Sequence, residues 1–346
     1  MWFASLLTSS VASFGRLVTT TLIPTAIPLV FLWTLLRAHS FEGATNWDDV
    51  LPASLTSDTL AIILAVVGVA ILASILQPFQ IRLVRLLEGY WEGWSVTARI
   101  APLFIEFQRR RLSNLKARRA TLKELSQQPT PTTANLGEQL AALRLNARTQ
   151  SELRRVRERI NRFPGAPPSI DEPAPLLPTA LGNALRVGEI TAGERYSLNT
   201  ITSWPRLYPD LSKKFSDEHD AALDAVDTAA NLTVSFALVT LLAVAGFCQE
   251  PAYYWIPVLT FALTCLSYTG SVAAALQYGS YLHVAYDLHR FDMLKGLHYP
   301  LPADSDAERE IFEKLSEFFR YSALTHERPD HLIGQVQGLP EYKHSN

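Results

Sequence analysis

Four long stretches without Asp, Glu, Lys or Arg constrain the fold of this chain more than any other feature. They are residues 17–36, 59–81, 228–249 and 251–286 of a 346-residue sequence. A helix of about 20 apolar residues crosses the hydrocarbon core of a bilayer, which is about 30 Å thick. The buried helices of water-soluble domains seldom lack charge over such lengths. The sequence therefore predicts an all-α integral membrane protein with four transmembrane helices.

The first stretch has an alternative interpretation as a cleaved signal peptide. Pro24 and Pro28 interrupt it, and proline removes a backbone donor from a helix. A signal peptide, however, begins with a positively charged segment, and residues 1–15 contain no Lys or Arg. This favours a retained first span and leaves the signal peptide as the alternative.

Basic residues predict the orientation of these helices in the membrane. Between Arg82 and Ala230 lie 22 of the 31 Lys and Arg residues, whereas residues 38–58 contain none. Loops rich in Lys and Arg stay on the cytoplasmic side. We therefore expect a multi-pass inner-membrane protein whose middle segment, N-terminus and C-terminus are all cytoplasmic.

These observations divide the chain into four predicted segments. Residues 1–81 hold transmembrane helices one and two, at about 17–36 and 59–81, and residues 82–227 form a cytoplasmic helical domain. Within that domain we expect a hairpin over 104–163 and a linker over 164–178. Residues 228–286 hold transmembrane helices three and four, and residues 287–346 form a cytoplasmic C-terminal helix and tail.

The hairpin is predicted from two polar helical segments separated by a breaker. Residues 104–127 and 135–163 are rich in charge, with sparse leucines, and Pro129 and Pro131 lie between them. A narrow apolar seam with charged flanks is typical of a coiled coil. We therefore expect a coiled-coil-like antiparallel arm.

Shorter signals predict the elements around the hairpin. Thr179 is suited to cap a helix running to about Tyr196, and residues 203–209 contain two prolines and read as a turn with aromatic anchors. Ser305, followed by Glu308 three residues later, matches a capping box. The helix behind that box has an apolar face, which we expect to dock on the arm or on the membrane surface.

Two rows of polar residues follow the third and fourth spans. At spacings of four and three residues, they consist of Asp220, Asp224, Asp227, Asn231 and Ser235 on one helix and Thr264, Ser267 and Ser271 on the other. Small and hydroxylated residues let membrane helices approach and hydrogen-bond, so the rows are candidates for helix packing. Alternatively, they line a pore in an oligomer, with the aspartates attracting cations at its inner mouth.

Clusters of arginine mark the predicted hairpin. The first are Arg109, Arg110 and Arg111, followed by Arg118 and Arg119. They form a solvated helix surface or bind anionic lipid headgroups, which attract clustered basic residues. Trp204 and Tyr208 are further headgroup candidates. Interleaved glutamates and the lack of stacking aromatics argue against nucleic acid.

No catalytic or cofactor-binding motif is found in the sequence. It contains neither a phosphate-binding glycine loop nor a nucleophile elbow, and its two cysteines cannot form a disulfide framework. His283 and Asp287 are one helical turn apart, which allows a hydrogen bond between them. We therefore predict no enzyme activity, no cofactor and no metal site.

One block of about thirty residues resembles a block in uncharacterised bacterial multi-pass membrane proteins. It includes residues 181–186, Glu189, residues 193–196 and residues 204–209. The resemblance implies a bacterial inner-membrane protein and carries over no catalytic residue.

Two hypotheses for function follow from these patterns. In the first, the protein self-associates through its third and fourth spans into a homo-oligomer. It then acts as a pore or membrane effector controlled by the cytoplasmic helical domain. In the second, the spans anchor a scaffold or sensor in the lipid bilayer, and its hairpin binds a cytoplasmic partner protein.

Overall fold

The computed structural model describes the larger part of the chain, in which every regular element is helical. The described residues are 15–16, 18–50, 67–68, 70–72, 74–75, 82–91, 95–127, 136–165 and 176–324, and they contain no β-strand. Most of the second predicted span lies outside these residues, as do the predicted breaker, most of the linker and the C-terminal tail. The few described residues of that span, 67–68, 70–72 and 74–75, are helical.

Among the described residues, eight α-helices have defined bounds. They are α1 (Ile23–Arg37), α2 (Ser95–Ser126), α3 (Leu136–Ile160), α4 (Ala180–Glu194), α5 (Thr200–Leu207), α6 (Lys213–Phe247), α7 (Trp255–Gly296) and α8 (Ser305–Leu324). Residues 82–88 are also helical. A π-helical turn, Val18–Leu22, leads into α1, and 3₁₀ turns lie at Trp47–Asp49, Tyr208–Asp210 and Pro251–Tyr253.

Three of the described helical stretches are long and apolar enough to cross a membrane. They are Val18–Arg37, Lys213–Phe247 and Pro251–Gly296. The helical fold and these three helices are confirmed, whereas four spans and a cytoplasmic hairpin stay predictions. Helices α6 and α7 extend well beyond the predicted spans 228–249 and 251–286, because hydropathy marks the uncharged part of a helix and not its ends.

The chain divides into two compact units. Unit one consists of Met1–Leu87 and Asp220–Ala275, and unit two consists of Glu88–His219 and Leu276–Asn346. Helices α6 and α7 each contribute residues to both units.

The core of unit one joins α1 to α6. Leu35, Ala243 and Phe247 are buried together, and the lack of a side chain at Gly246 leaves room for Leu35. The loops beyond these helices are also linked, since Glu250 accepts hydrogen bonds from the backbone N–H and the hydroxyl of Thr45 at 2.5 and 2.7 Å.

Large apolar side chains cover much of the outer surface of unit one. Leu241, Val258, Phe261 and Leu266 are each more than half exposed. Exposed apolar patches of this extent are unusual on a soluble monomer but suit contact with hydrocarbon.

In unit two, α4 packs closely against the C-terminal part of α7. Their backbones meet at Gly188 and Gly279, where a side chain on either residue would collide with the other helix. Thr179 caps α4 as expected, accepting a hydrogen bond from the N–H of Gly182 at 3.1 Å. Buried Asn183 binds the N–H and the carbonyl of Leu177 and so fixes the chain entering the helix.

The expected turn over residues 203–209 is instead mostly helical. Helix α5 begins after Asn199, whose side chain accepts a hydrogen bond from the N–H of Thr202 at 3.1 Å. Pro205 removes one backbone donor. The helix persists because Ser203 packs in the core, where its hydroxyl lies 2.8 Å from the hydroxyl of Tyr286.

The predicted capping box at Ser305 is also wrong, by one residue. Asp304 caps α8, accepting hydrogen bonds from the N–H groups of Asp306 and Ala307. Glu308 instead forms an ion pair with Arg290 at 2.8 Å. An aspartate directly before a predicted cap competes for the same backbone donors, and here it takes them.

The apolar face of α8 docks inside unit two rather than on the predicted arm or the membrane. Phe312, Leu315 and Phe319 are buried, and Phe312 stacks on Phe291 of α7. The guanidinium of Arg206 lies 4.0 Å from the ring centroid of Phe319, so α5 and α8 are also in contact.

Candidate functional site

Two kinds of polar residue were candidates for function, and the structure gives them different surroundings. The first kind forms the polar rows of α6 and α7, and the second is the set of arginines on α2. A third polar group, on α4 and α7, was only partly anticipated.

The N-terminal end of the α6 row holds an ion pair in unit one. Arg16 Nε lies 2.6 Å from Asp224 Oδ1 and 2.5 Å from Oδ2. This hydrogen bond raises the pKa of Arg16, with smaller contributions from Asp220 and Asp227. Three aspartates on one helix face thus surround a basic residue that precedes the first span.

Further along the row, Asn231 and Ser235 bind the backbone that leads into and through the start of α1. Asn231 Nδ2 donates to the carbonyl of Thr20 at 2.8 Å, and Ser235 Oγ lies 2.6 Å from the carbonyl of Pro24. Both carbonyls lie four residues before a proline, Pro24 and Pro28. Since proline has no N–H, neither carbonyl can receive its α-helical hydrogen bond.

The spacing of the two prolines thus matches the spacing of the two donors on α6. Two prolines four residues apart expose two carbonyls four residues apart, and two donors four residues apart on α6 meet them. Ser235 is only 3% exposed. In a membrane, where no water replaces a missing hydrogen bond, such contacts hold helices together.

On α7, the polar row also contacts a neighbouring helix. Thr240 of α6 donates to Thr260 at 3.1 Å and lies 3.5 Å from Thr264. Ser271 is fully buried and donates to the carbonyl of Tyr268, while Ser267 is half-buried. Thr240 was not among the sequence candidates, because it lies five residues after Ser235 and so falls outside the spacing of four and three residues that defined the row on α6.

Helices α2 and α3 of unit two pack against each other. Leu122 and Val156 are buried, and Arg118 forms an ion pair with Glu152 at 2.9 Å. Beside that pair lies a groove of about 220 Å³, lined by Leu115, Arg118, Glu152, Arg155, Val156 and Arg159. Three arginines and one glutamate give this groove a net positive charge.

The other arginines of α2 lie on its surface. Arg109 and Arg110 contact Glu106 at 3.5 and 3.0 Å, with about three quarters of each arginine side chain exposed. Arg111 and Arg119 are exposed as well. Exposed ion pairs of this kind contribute little to stability. These arginines are therefore accessible to anions in solution or in a membrane.

Trp204 and Tyr208 pack together in an aromatic cluster of unit two. The ring of Trp204 lies 5.6 Å from that of Tyr208 and 5.0 Å from that of His219, measured between centroids. Both residues are half-buried. Headgroup contact by the remaining ring surface stays a prediction.

A polar network joins α4 to α7. Arg195 binds Asp287 at 3.1 Å and donates to Nδ1 of His283 at 2.6 Å, so one arginine contacts both residues that were expected to pair. Tyr196 donates to Asp287 at 2.6 Å. Burial, together with that hydrogen bond, raises the pKa of the Tyr196 hydroxyl.

This network also fixes the form of the imidazole. Because arginine only donates, Nδ1 of His283 accepts, and Nε2 is left to donate to Thr191 Oγ1 at 3.1 Å. Thr191 in turn donates to the carbonyl of Val187. The arrangement is a closed structural network, and within the described residues no group of three or more His, Cys, Asp or Glu side chains could hold a metal ion.

One feature of the predicted hairpin was not expected from the sequence. The polar arm was predicted to start at Phe104, but α2 begins at Ser95, and apolar side chains of its first turns are exposed. The four- and three-residue spacing of Val96, Ile100, Leu103 and Phe107 was a readable signal. It was overlooked because the arginines that follow dominate the composition.

Comparisons with known proteins found no relative of this chain. No protein-family model, curated protein or solved structure matches this chain significantly.

Proposed function

We propose that this protein is a membrane-anchored scaffold whose basic hairpin, formed by α2 and α3, binds an acidic protein partner in the cytoplasm. The observation that carries the proposal is the charge of the hairpin. Residues 95–165 contain 15 Lys and Arg but only 5 Asp and Glu, a net charge of +10, whereas the whole chain has −2.

The groove between α2 and α3 supplies the contact geometry. Arg118, Arg155 and Arg159 line it, and arginine binds carboxylates through two parallel hydrogen bonds. Clusters of arginine are a recurring means of recognising acidic segments. The groove therefore suits an acidic helix or strand of a partner.

The hairpin is a poor fit for nucleic acid. Residues 108–162 contain no Phe, Tyr or Trp, so the groove at Arg118, Arg155 and Arg159 offers bases nothing to stack on.

The test measures binding of a fluorescent poly-glutamate peptide to the full chain in zwitterionic nanodiscs. Reversing Arg118, Arg155 and Arg159 to Glu should weaken binding about tenfold or more, because like charges oppose contact. Reversal of three exposed basic residues outside the hairpin, Lys213, Lys214 and Arg320, is the matched control. Equal affinity of the wild type and the hairpin variant would refute the proposal.

The pore hypothesis stays a prediction with less support. The row on α6 that would line the pore includes Asn231 and Ser235. Their side chains already bind the backbone carbonyls of residues 20 and 24 in the same chain. A side chain engaged in this way contributes to helix packing rather than to a water-filled path. Ion flux through reconstituted protein distinguishes the two hypotheses.

A further inference from the structure

The first turns of α2 expose a row of apolar side chains. Val96, Ile100, Leu103 and Phe107 are 71%, 39%, 71% and 60% exposed. Their spacing of four, three and four residues places them on one face of the helix. We call these four residues the apolar row.

The opposite side of the same turns already packs within unit two. Ala101 and Gln108 are buried, and Gln108 Nε2 lies 3.4 Å from the carbonyl of Pro178. The start of the helix is held by Trp91, whose carbonyl accepts a hydrogen bond from Thr97 at 2.9 Å and whose ring lies 5.1 Å from that of Phe104. The apolar row is thus presented outward by a fixed helix.

Basic residues flank the apolar row. Arg99 lies between its first two members, and Arg109, Arg110 and Arg111 follow its last member after Gln108; all four arginines are exposed. A helix with one apolar face and adjoining basic residues is typical of a segment that lies in the interface of an anionic leaflet. Position in the chain agrees, because α2 begins 14 residues after the predicted end of the second span at Ile81.

We infer that the first half of α2, residues 95–111, lies in the headgroup region of the inner leaflet, with the apolar row inserted into the lipid. Arg99, Arg110 and Arg111, which flank the apolar row on the helix, then contact anionic headgroups. This surface is distinct from the groove at Arg118, Arg155 and Arg159. The inference depends on the membrane location of the chain, but not on the capture of a partner.

Site-specific fluorescence tests the inference in the full chain. Cys248 and Cys265, both exposed, are replaced by Ser. A single cysteine is then introduced as Leu103→Cys or Phe107→Cys, labelled with a polarity-sensitive dye and studied in nanodiscs containing phosphatidylglycerol. Ser113→Cys, an exposed polar site on the same helix, is the matched control.

We expect blue-shifted emission from the dyes at positions 103 and 107. Quenching by nitroxide-labelled lipid should be about twofold or more stronger there than at 113, and quenching by aqueous iodide should be weaker. The triple variant Arg109→Gln, Arg110→Gln, Arg111→Gln should reduce the nitroxide quenching, because it removes the attraction to phosphatidylglycerol.

Two outcomes would overturn the inference. Iodide quenching at 103 and 107 as strong as at 113 would place the row in water. Protection from iodide without nitroxide quenching, lost when each nanodisc holds a single chain, would show that a second copy covers the row. Neither outcome depends on binding of the poly-glutamate peptide, so failure of the scaffold proposal remains distinguishable.

Discussion

The polar row of α6 and the basic surface of the hairpin look alike in sequence but differ in their surroundings. Both are polar residues repeated at helical spacing. On α6, Asn231 and Ser235 bind carbonyls that Pro24 and Pro28 have released. The hairpin contains 15 basic residues but only 5 acidic ones, and Arg111 and Arg119 are exposed.

The difference shows that the role of a polar row depends on whether the same chain offers it hydrogen-bonding or charged partners. In unit one, proline creates acceptors at fixed positions, and the donors opposite become part of the packing. In the hairpin, cations outnumber anions three to one, so most of the charge is left for an external anion.

The same substitution should have very different costs in the two regions. Ser235→Ile adds bulk at a site that is 3% exposed and removes the bond to Pro24, so we expect a loss of about 2–3 kcal/mol in the free energy of unfolding. Ser113→Ile on the exposed face of α2 should change it by less than about 0.5 kcal/mol. Denaturant unfolding in mixed micelles measures both, and equal costs would contradict the contrast.

A double-mutant cycle tests whether proline creates the need for the serine. Pro28→Ala supplies an N–H for the carbonyl of Pro24, so Ser235→Ala should cost less in that background. We expect a coupling energy of about 0.6–1.5 kcal/mol. The control is Thr233→Ala, whose hydroxyl bonds Ala229 of its own helix, and it should show no coupling to Pro28. Additive effects of Pro28→Ala and Ser235→Ala would show that the hydrogen bond of Ser235 does not depend on the N–H that Pro28 lacks.

The two regions also offer a comparison of ion pairs. Asp224 is the most protected of the four side chains, and we expect the pair of Arg16 with Asp224 to contribute about 1 kcal/mol. The pair of Arg118 with Glu152 is more exposed on both sides and should contribute about 0.3 kcal/mol. Double-mutant cycles at low and high salt provide the values. If the pair of Arg118 with Glu152 proved the stronger, Arg118 would have a structural role rather than being available to an external anion.

The smallest expected effect concerns Glu189 of α4 and the pH dependence of stability. Burial raises the pKa of Glu189 above its ordinary value of 4.5. The folded state therefore binds this proton more tightly than the unfolded state, so the contribution of Glu189 to stability improves as the pH falls through the raised pKa toward 4.5. Glu189→Gln should stabilise the protein near neutral pH and flatten this dependence.

The control for that prediction is Glu124→Gln on the exposed face of α2. Unfolding curves at several pH values compare the two variants. If both changed the pH profile equally, the burial of Glu189 would not be the cause.

Much of the helical architecture was readable from the sequence because each signal was local. Uncharged runs marked the helices of unit one, and Thr179 marked the start of α4. Local signals failed where two residues competed for one role. Asp304 took the cap expected of Ser305, and packing around Tyr286 kept residues 200–207 helical despite Pro205.

Contacts distant in sequence were not predictable in the same way. Asn231 and Thr20 are 211 positions apart, and only the folded chain shows that the spacing of two prolines matches the spacing of two donors. The bridge of Arg195 to both His283 and Asp287 is similar, because α4 and α7 are joined by no local pattern. The apolar row of α2 was readable by its spacing but was hidden by the arginines that follow it.

The most direct test of the central claim, that the polar rows hold helices together and do not conduct, is potassium flux through the purified full chain in liposomes. The account predicts no flux above that of protein-free liposomes from a folded, reconstituted protein. Flux that is present in the wild type and lost in Ser267→Leu would contradict it, because that residue would then line a conducting path.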